Sequence, residues 1–118
     1  MDKLQYNQLI AAGVDVDDAL GRFMGNEELM LRFLLYFPQD PSFPQLKEAL
    51  DRNDAEAAFE AAHALKGVAG NLSLKGLYQS VSALVEDLRS DDLAAAAGRM
   101  PQLEVRYQEM IQVLLALA

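Results

Sequence analysis

Three stretches of this chain carry apolar residues at intervals of three, four or seven positions, and this spacing constrains the fold more than any other feature. The members are Ala58, Ala62, Leu65, Ala69 and Leu72; Leu74, Leu77, Val81, Leu84 and Leu88; and Leu93, Met100, Leu103, Tyr107, Met110 and Leu114. Residues with this spacing line one face of an α-helix, and such faces pack about 20° from antiparallel in a bundle. A fourth segment with Phe43, Leu46 and Leu50 completes a predicted four-helix bundle.

Two helices are predicted before the bundle. Asp15 precedes VDDALGRFMG with Asp18 as a capping-box partner, and Asn26 precedes EELMLRFLLYF. The apolar residues of these helices are Leu20, Phe23, Phe33, Leu34 and Phe37. We therefore expect a single all-α domain, 1–118, in which N-terminal helices within 1–38 cover one end of an antiparallel up-down four-helix bundle, 41–118.

Polar capping residues and prolines set the predicted bounds of the bundle helices. The predicted starts are Ser42 or Asp40, Asp54, Ser73 and Ser90, and the predicted ends lie near Arg52 and Asn53, at Asn71 or Leu72, at Arg89 and at the C-terminus. Pro101 falls within the last pattern and lacks an N–H for the helical ladder, so an irregularity is expected between Gly98 and Pro101.

Composition excludes several classes of protein. The 118 residues suffice for one domain, and the absence of cysteine excludes disulfides and thiolate metal sites. A formal net charge of −8 disfavours nucleic acid and anionic membrane surfaces as partners. No apolar run reaches the length of a membrane span, and the start MDKLQYNQLI lacks the features of a signal peptide. These observations predict a cytoplasmic protein.

The only histidine lies in AFEAAHALKGVAGNLSLKG, a helical segment that also contains two glycines. A helix advances about 100° per residue, which puts His63, Lys66, Gly67 and Gly70 on one face, away from the apolar stripe. Phe59 borders the same face. Because each glycine costs a helix about 1 kcal/mol relative to alanine, their presence here needs a reason.

An exposed imidazole offers a reason for this arrangement. It is largely neutral at pH 7, so a ring nitrogen is free to act as a nucleophile. Gly67 and Gly70 clear side chains from the surface around it, so a partner backbone or a bulky anionic group could approach closely. Lys66, one turn beyond His63, would stabilise the two negative charges of a phosphoryl group on the ring.

At AAHALKGVAGNLSL the sequence resembles the histidine-containing phosphotransfer (HPt) domains of multistep two-component phosphorelays. The residues that match the family pattern are His63, Leu65, Lys66, Gly67, Ala69 and Leu72. The upstream stretch GVDVDDALGRFMGNEELMLRFLLYFPQD is also similar to the family's N-terminal region, so the resemblance covers nearly the whole chain. One departure is Ser73, where the family usually has glycine, and Asn71 is expected to take the left-handed conformation at this corner instead.

The resemblance implies a function. His63 would accept a phosphoryl group from the aspartyl phosphate of one receiver domain and pass it to another, in a hybrid histidine kinase and a downstream regulator. Lys66 would contact the phosphate, and Gly67 would leave room for the partner. Mg²⁺ would come from the receiver; the chain itself would bind no metal or cofactor and would act as a monomer.

Other residues of the predicted site are assigned by the same resemblance. A polar side chain of the next helix often orients the imidazole in this family, and Gln79 and Ser82 are both candidates. The partner would dock on an apolar surface near His63, to which Phe59, Gly70 and either Phe33 or Phe37 would contribute.

The sequence gives less support to other functions. No glycine-rich nucleotide loop is present, so kinase activity of its own is not expected, and DVDD at 15–18 lacks the glycine of a calcium loop. Whether the chain is a separate protein or part of a hybrid kinase stays open. The alternative is a helical adaptor that binds a partner through an apolar bundle face, with an incidental histidine.

Overall fold

The computed structural model describes residues 1–118, and these form seven α-helices and one short 3-10 helix. The α-helices are α1 (Lys3–Ala11), α2 (Val16–Arg22), α3 (Glu27–Tyr36), α4 (Ser42–Asp51), α5 (Ala55–Asn71), α6 (Lys75–Arg89) and α7 (Leu93–Leu117), and the 3-10 helix is Phe37–Gln39. No strand is present, and Val14 and Leu74 form one isolated bridge. The prediction of an all-helical bundle is confirmed. No helix combines the length and apolar character that crossing a membrane requires.

Helices α4 to α7 each pack on the next in sequence, and α7 also contacts α4. Every predicted stripe residue of α5 and α6 is buried, as are Leu103, Tyr107, Met110 and Leu114 of α7. Phe43 stacks on Tyr107 with ring centroids 3.9 Å apart, and Lys47 Nζ lies 2.7 Å from Glu104. These two pairs run in opposite order along α4 and α7, which favours the predicted antiparallel arrangement.

Three predicted N-caps are confirmed. Asp15, Asn26 and Asp54 each accept a hydrogen bond from the backbone N–H three residues on, at the starts of α2, α3 and α5. The capping box predicted at Asp15 does not form. The Asp15 N–H donates to the Ser73 carbonyl at 2.9 Å, which ties α2 to the corner between α5 and α6.

Two predicted helix starts are wrong. Ser73 does not open α6, because its φ of +56° is left-handed; the helix begins at Lys75. Ser90 lies at the C-terminal end of α6, and Asp92 caps α7 by accepting from the Ala95 N–H. Ser90 directly follows α6 and Ser73 lies two residues beyond α5, positions where a polar residue can end the preceding helix as readily as start the next.

No helix boundary forms at Pro101, because α7 continues through it from residue 93 to residue 117; a kink at this point stays a prediction. A proline inside a helix costs about 3 kcal/mol. Ala96 and Leu103 lie buried on either side of it, so burial on both sides holds the helix together. Burying one leucine contributes about 2 kcal/mol, and the buried face of α7 contains several residues of that size.

The N-terminal region contains three helices where two were predicted. Helix α1 was missed because Leu9 is its only fully buried residue, so it shows little apolar periodicity. Both α1 and α3 contact α7, and α2 contacts its two neighbours. Leu34 and Phe37 are core residues, whereas Phe33 is 49 % exposed. The sequence analysis named either Phe33 or Phe37 as part of the docking surface. Phe37 is buried and is therefore not available for docking.

Candidate functional site

Helix α5 exposes His63 to solvent at the middle of its length. Asp54 caps the helix, and its alanine-rich sequence continues to Asn71. Ala62 and Leu65 are fully buried on the inner face, whereas His63 is exposed. The helical geometry predicted from the sequence therefore holds at this residue: its side chain lies outside the core.

A cleft of about 430 Å³ opens beside His63. Its lining comes from three parts of the chain: His63, Lys66, Gly67, Ala69, Gly70 and Asn71 of α5; Ser73, Lys75 and Tyr78 of the corner and α6; and Arg22 of α2. The predicted residues His63, Lys66, Gly67 and Gly70 therefore line one surface. Three of the lining residues are cations and none is an acid, although the chain has 18 acidic and 10 basic residues.

The two glycines of α5 have different surroundings. A Cβ atom at Gly67 would meet nothing within 4 Å, so no contact inside the chain requires glycine there. A Cβ atom at Gly70 would lie 3.3 Å from Cε2 of Tyr78, so glycine lets that ring pack against α5. The prediction that both glycines clear the surface is therefore corrected: at Gly70 an aromatic ring of the same chain occupies the space.

The imidazole of His63 makes a ring contact but no hydrogen bond within the chain. It stacks on Phe59 with centroids 5.9 Å apart and an interplanar angle of 7°, and the Arg89 guanidinium lies 5.4 Å from the centroid of Phe59. Ser82 donates its hydroxyl to the Tyr78 carbonyl at 2.6 Å, and Gln79 is exposed. Neither of these two residues lines the cleft or hydrogen-bonds to the imidazole.

Lys66 is partly buried and forms no ion pair with a carboxylate. Its Nζ lies 5.8 Å from the centroid of the Tyr78 ring, within reach of a cation–π contact. The ring that packs against Gly70 therefore also borders the lysine. Because no acid neutralises it, the ammonium of Lys66 is available to an anion in the cleft.

The corner between α5 and α6 is built around Ser73, which is 2 % exposed. Asn71 ends α5 in helical conformation, and Ser73 takes the left-handed conformation predicted for Asn71. The Ser73 hydroxyl donates to Oδ2 of Asp18 at 2.5 Å. That same oxygen lies 3.0 Å from Nε of Arg22 and 3.9 Å from Nζ of Lys75, so one carboxylate joins α2, the corner and α6.

No group of three or more histidine, aspartate or glutamate residues lies close enough together to hold a metal ion. A family model described as the Hpt domain matches residues 39–116, more than half of the chain. The chain belongs to the Hpt domain family. No curated protein and no solved structure gives a significant match. Hpt domains transfer phosphoryl groups through a histidine in phosphorelays, and they interact with receiver domains.

Four residues around the histidine of this Hpt domain were not predicted as part of the site. Arg22, Lys75 and Tyr78 line the cleft, and the carboxylate of Asp18 forms ion pairs with Arg22 and Lys75. Arg22 belongs to α2, and no local pattern indicates that α2 packs beside this corner. The only signal in the sequence was Ser73, the polar residue at a position where Hpt domains usually have glycine.

The network around Asp18 predicts how the stability of this Hpt domain depends on pH. The Ser73 hydroxyl, and after it the Arg22 guanidinium, hold the pKa of Asp18 below its usual range. The stabilisation is therefore complete above the ordinary carboxyl pKa and is lost as pH falls through the lowered one. We expect Asp18→Asn to be less stable than wild type at pH 7, and the difference to narrow at about pH 2.5.

Urea unfolding at the two pH values measures this difference. Asp51→Asn is the control, because Asp51 is exposed on α4 and forms neither an ion pair nor a hydrogen bond through its carboxylate. A difference between wild type and Asp18→Asn that stays constant from pH 7 to about pH 2.5 would contradict the assignment.

Proposed function

We propose that His63 is the phosphoacceptor of this Hpt domain. It would take a phosphoryl group from the aspartyl phosphate of one receiver domain and pass it to a second receiver. The observation that carries the proposal is the exposure of His63 beside a cleft lined by three cations. His63 is also the only histidine of a chain whose family transfers phosphoryl groups through histidine.

The chemical step needs only a positioned nucleophile on this chain. The lone pair of an imidazole nitrogen forms the N–P bond while the P–O bond to the aspartyl group breaks, and the electron pair leaves with the receiver's carboxylate. Transfer to the second receiver is the reverse step, with a carboxylate oxygen as nucleophile. Mg²⁺ would be supplied by the receiver domains, so the Hpt domain would contribute position and positive charge.

The docking surface would lie around Gly67. This residue is exposed and a Cβ atom there would meet open space, so a partner backbone could approach α5 without meeting a side chain. Phe59, packed against the imidazole, would border the contact. Phe33 is half exposed on α3 and is a further candidate for the apolar part of the surface.

Lys66 would stabilise the phosphoryl group on His63, because it lines the same cleft and has no carboxylate partner. We expect Lys66→Ala to lower the rate of transfer from a phosphorylated receiver by about ten-fold, the loss expected when one charge-assisted hydrogen bond is removed. The rate is measured by quenched-flow labelling, and circular dichroism checks that the fold is unchanged. Transfer at the wild-type rate would show that Lys66 has no such role.

Labelling tests the proposed function directly. The protein is incubated with Mg²⁺ and each phosphorylated receiver of the source organism, and we expect at least one receiver to transfer its label. The label should survive base and be lost in acid, as a phosphoramidate bond is. A chain that binds a receiver but never acquires label would instead be the helical adaptor.

A further inference from the structure

The cleft beside His63 collects positive charge in a chain that is otherwise acidic. Lys66 comes from α5, Arg22 from the end of α2 and Lys75 from the start of α6, so the fold brings the three cations together. The exposed face of a single helix would not bring these three cations together, because each of them lies on a different helix. The grouping extends the positive surface well beyond Lys66.

Asp18 holds two of these cations and leaves most of their hydrogen-bond donors unused. Arg22 contacts it through Nε, so both terminal nitrogens of the guanidinium are free of Asp18. The Lys75 ammonium is 3.9 Å away, within ion-pair range but beyond hydrogen-bond distance. The buried Ser73 hydroxyl fixes the carboxylate in turn. One acid thus orients two cations whose remaining donors can bind an anion.

The charges of the cleft match those of a phosphoryl group. Arg22, Lys66 and Lys75 carry three positive charges and Asp18 carries one negative charge, so two positive charges remain. A phosphoryl group carries between one and a half and two negative charges at pH 7 and offers three acceptor oxygens. Lys66 alone would leave about half of that charge without a partner.

We infer that Arg22 and Lys75, held by Asp18, form the second half of a phosphate site in which they bind the phosphoryl group carried by His63 together with Lys66. This inference rests on the proposed role of His63. It adds two residues outside the α5 motif and gives the Asp18–Ser73 contact a function: keeping both cations at the cleft when no phosphoryl group is present.

The test measures how strongly the site favours the doubly charged phosphoryl group. Phosphoramidate, a small phosphoryl donor, is used to phosphorylate His63 without any receiver. The ³¹P shift of the product is then followed against pH at low salt, where exposed charges are least screened. Nearby cations stabilise the dianion and so lower the midpoint of this titration; replacing a cation with a neutral side chain raises the midpoint.

We expect Arg22→Gln and Lys75→Gln each to raise the midpoint by about 0.2 to 0.7 of a pH unit, the size expected of an exposed ion pair. Arg22→Lys, which keeps the charge, should stay close to wild type. Arg52→Gln is the matched control: it removes the same charge from the loop before α5, at least about 12 Å along the helix from His63. It should move the midpoint less than either of the cleft variants.

Equal midpoints in wild type, Arg22→Gln and Lys75→Gln would overturn the inference, and so would an equal shift in Arg52→Gln, which would reflect net charge alone. Receiver transfer is a second measurement, in which Arg22→Gln and Lys75→Gln should each be slowed about two- to five-fold. Failure of every receiver to label His63, with the midpoint shifts still present, would end the relay proposal and leave the phosphate site standing. Normal labelling with no shift of the midpoint would support the relay proposal and overturn the phosphate site.

Discussion

Replacing His63 with glutamine is expected to abolish phosphoryl transfer to this Hpt domain while leaving its fold intact. His63 is the only histidine, so no second imidazole can accept the group, and glutamine offers no comparable nucleophile. We expect the rate of labelling to fall by at least about a thousand-fold, to below detection, because the covalent route is removed entirely.

The stability of His63→Gln should remain close to wild type, because the imidazole is exposed and makes no hydrogen bond within the chain. Glutamine is also at least as good a helix former as histidine. Thermal unfolding with labelling of the same samples measures both properties. Acid-labile phosphate on the variant would refute the assignment of His63, whereas loss of helicity would assign the residue a structural role instead.

Substitutions at Gly67 are expected to separate stability from function. A Cβ atom there meets open space, and alanine is favoured over glycine inside a helix by about 1 kcal/mol, so Gly67→Ala should raise the free energy of unfolding by about that amount. If a receiver docks over this position, the longer side chain of Gly67→Gln should obstruct it, and we expect transfer to slow by about a hundred-fold, the effect of displacing the reacting atoms by about 1 Å.

Gly98 provides a matched control for both substitutions. It lies inside α7, it is exposed, and a Cβ atom there also meets nothing within 4 Å. Gly98→Ala and Gly98→Gln should therefore change stability as their Gly67 counterparts do, without slowing transfer. Full-rate transfer by Gly67→Gln would remove Gly67 from the docking surface.

The bundle could be predicted from the sequence because its helices are long and bury a regular stripe. Burial could be predicted from the spacing of Leu65, Leu84 and Leu103, and the start of α5 could be predicted from the capping side chain of Asp54. Helix α1 gave no such signal, since a helix with one fully buried residue has almost no apolar period. At RSDD the sequence offers several possible caps, and which of them acts depends on where α6 ends.

The candidate site was predicted only where it lies within one helix. The angles of α5 are enough to put His63, Lys66 and Gly67 on one face. Arg22 and Lys75 could not be added, because their position beside that face depends on how α2 packs against the corner after α5. The prediction that Gly70 leaves open surface was wrong for a related reason. The ring of Tyr78, on the next helix, occupies the space that the absent Cβ of Gly70 leaves.

The uneven distribution of charge also acts before any contact is made. The net charge of −8 would repel an anionic partner, whereas the three cations of the cleft would attract it, so the long-range field would turn an incoming phosphorylated domain towards His63 during diffusion. Such steering raises the frequency of productive encounters without tightening the complex. If this domain passes a phosphoryl group between two receivers, rapid arrival with modest affinity would favour turnover, because one partner must leave before the next one docks.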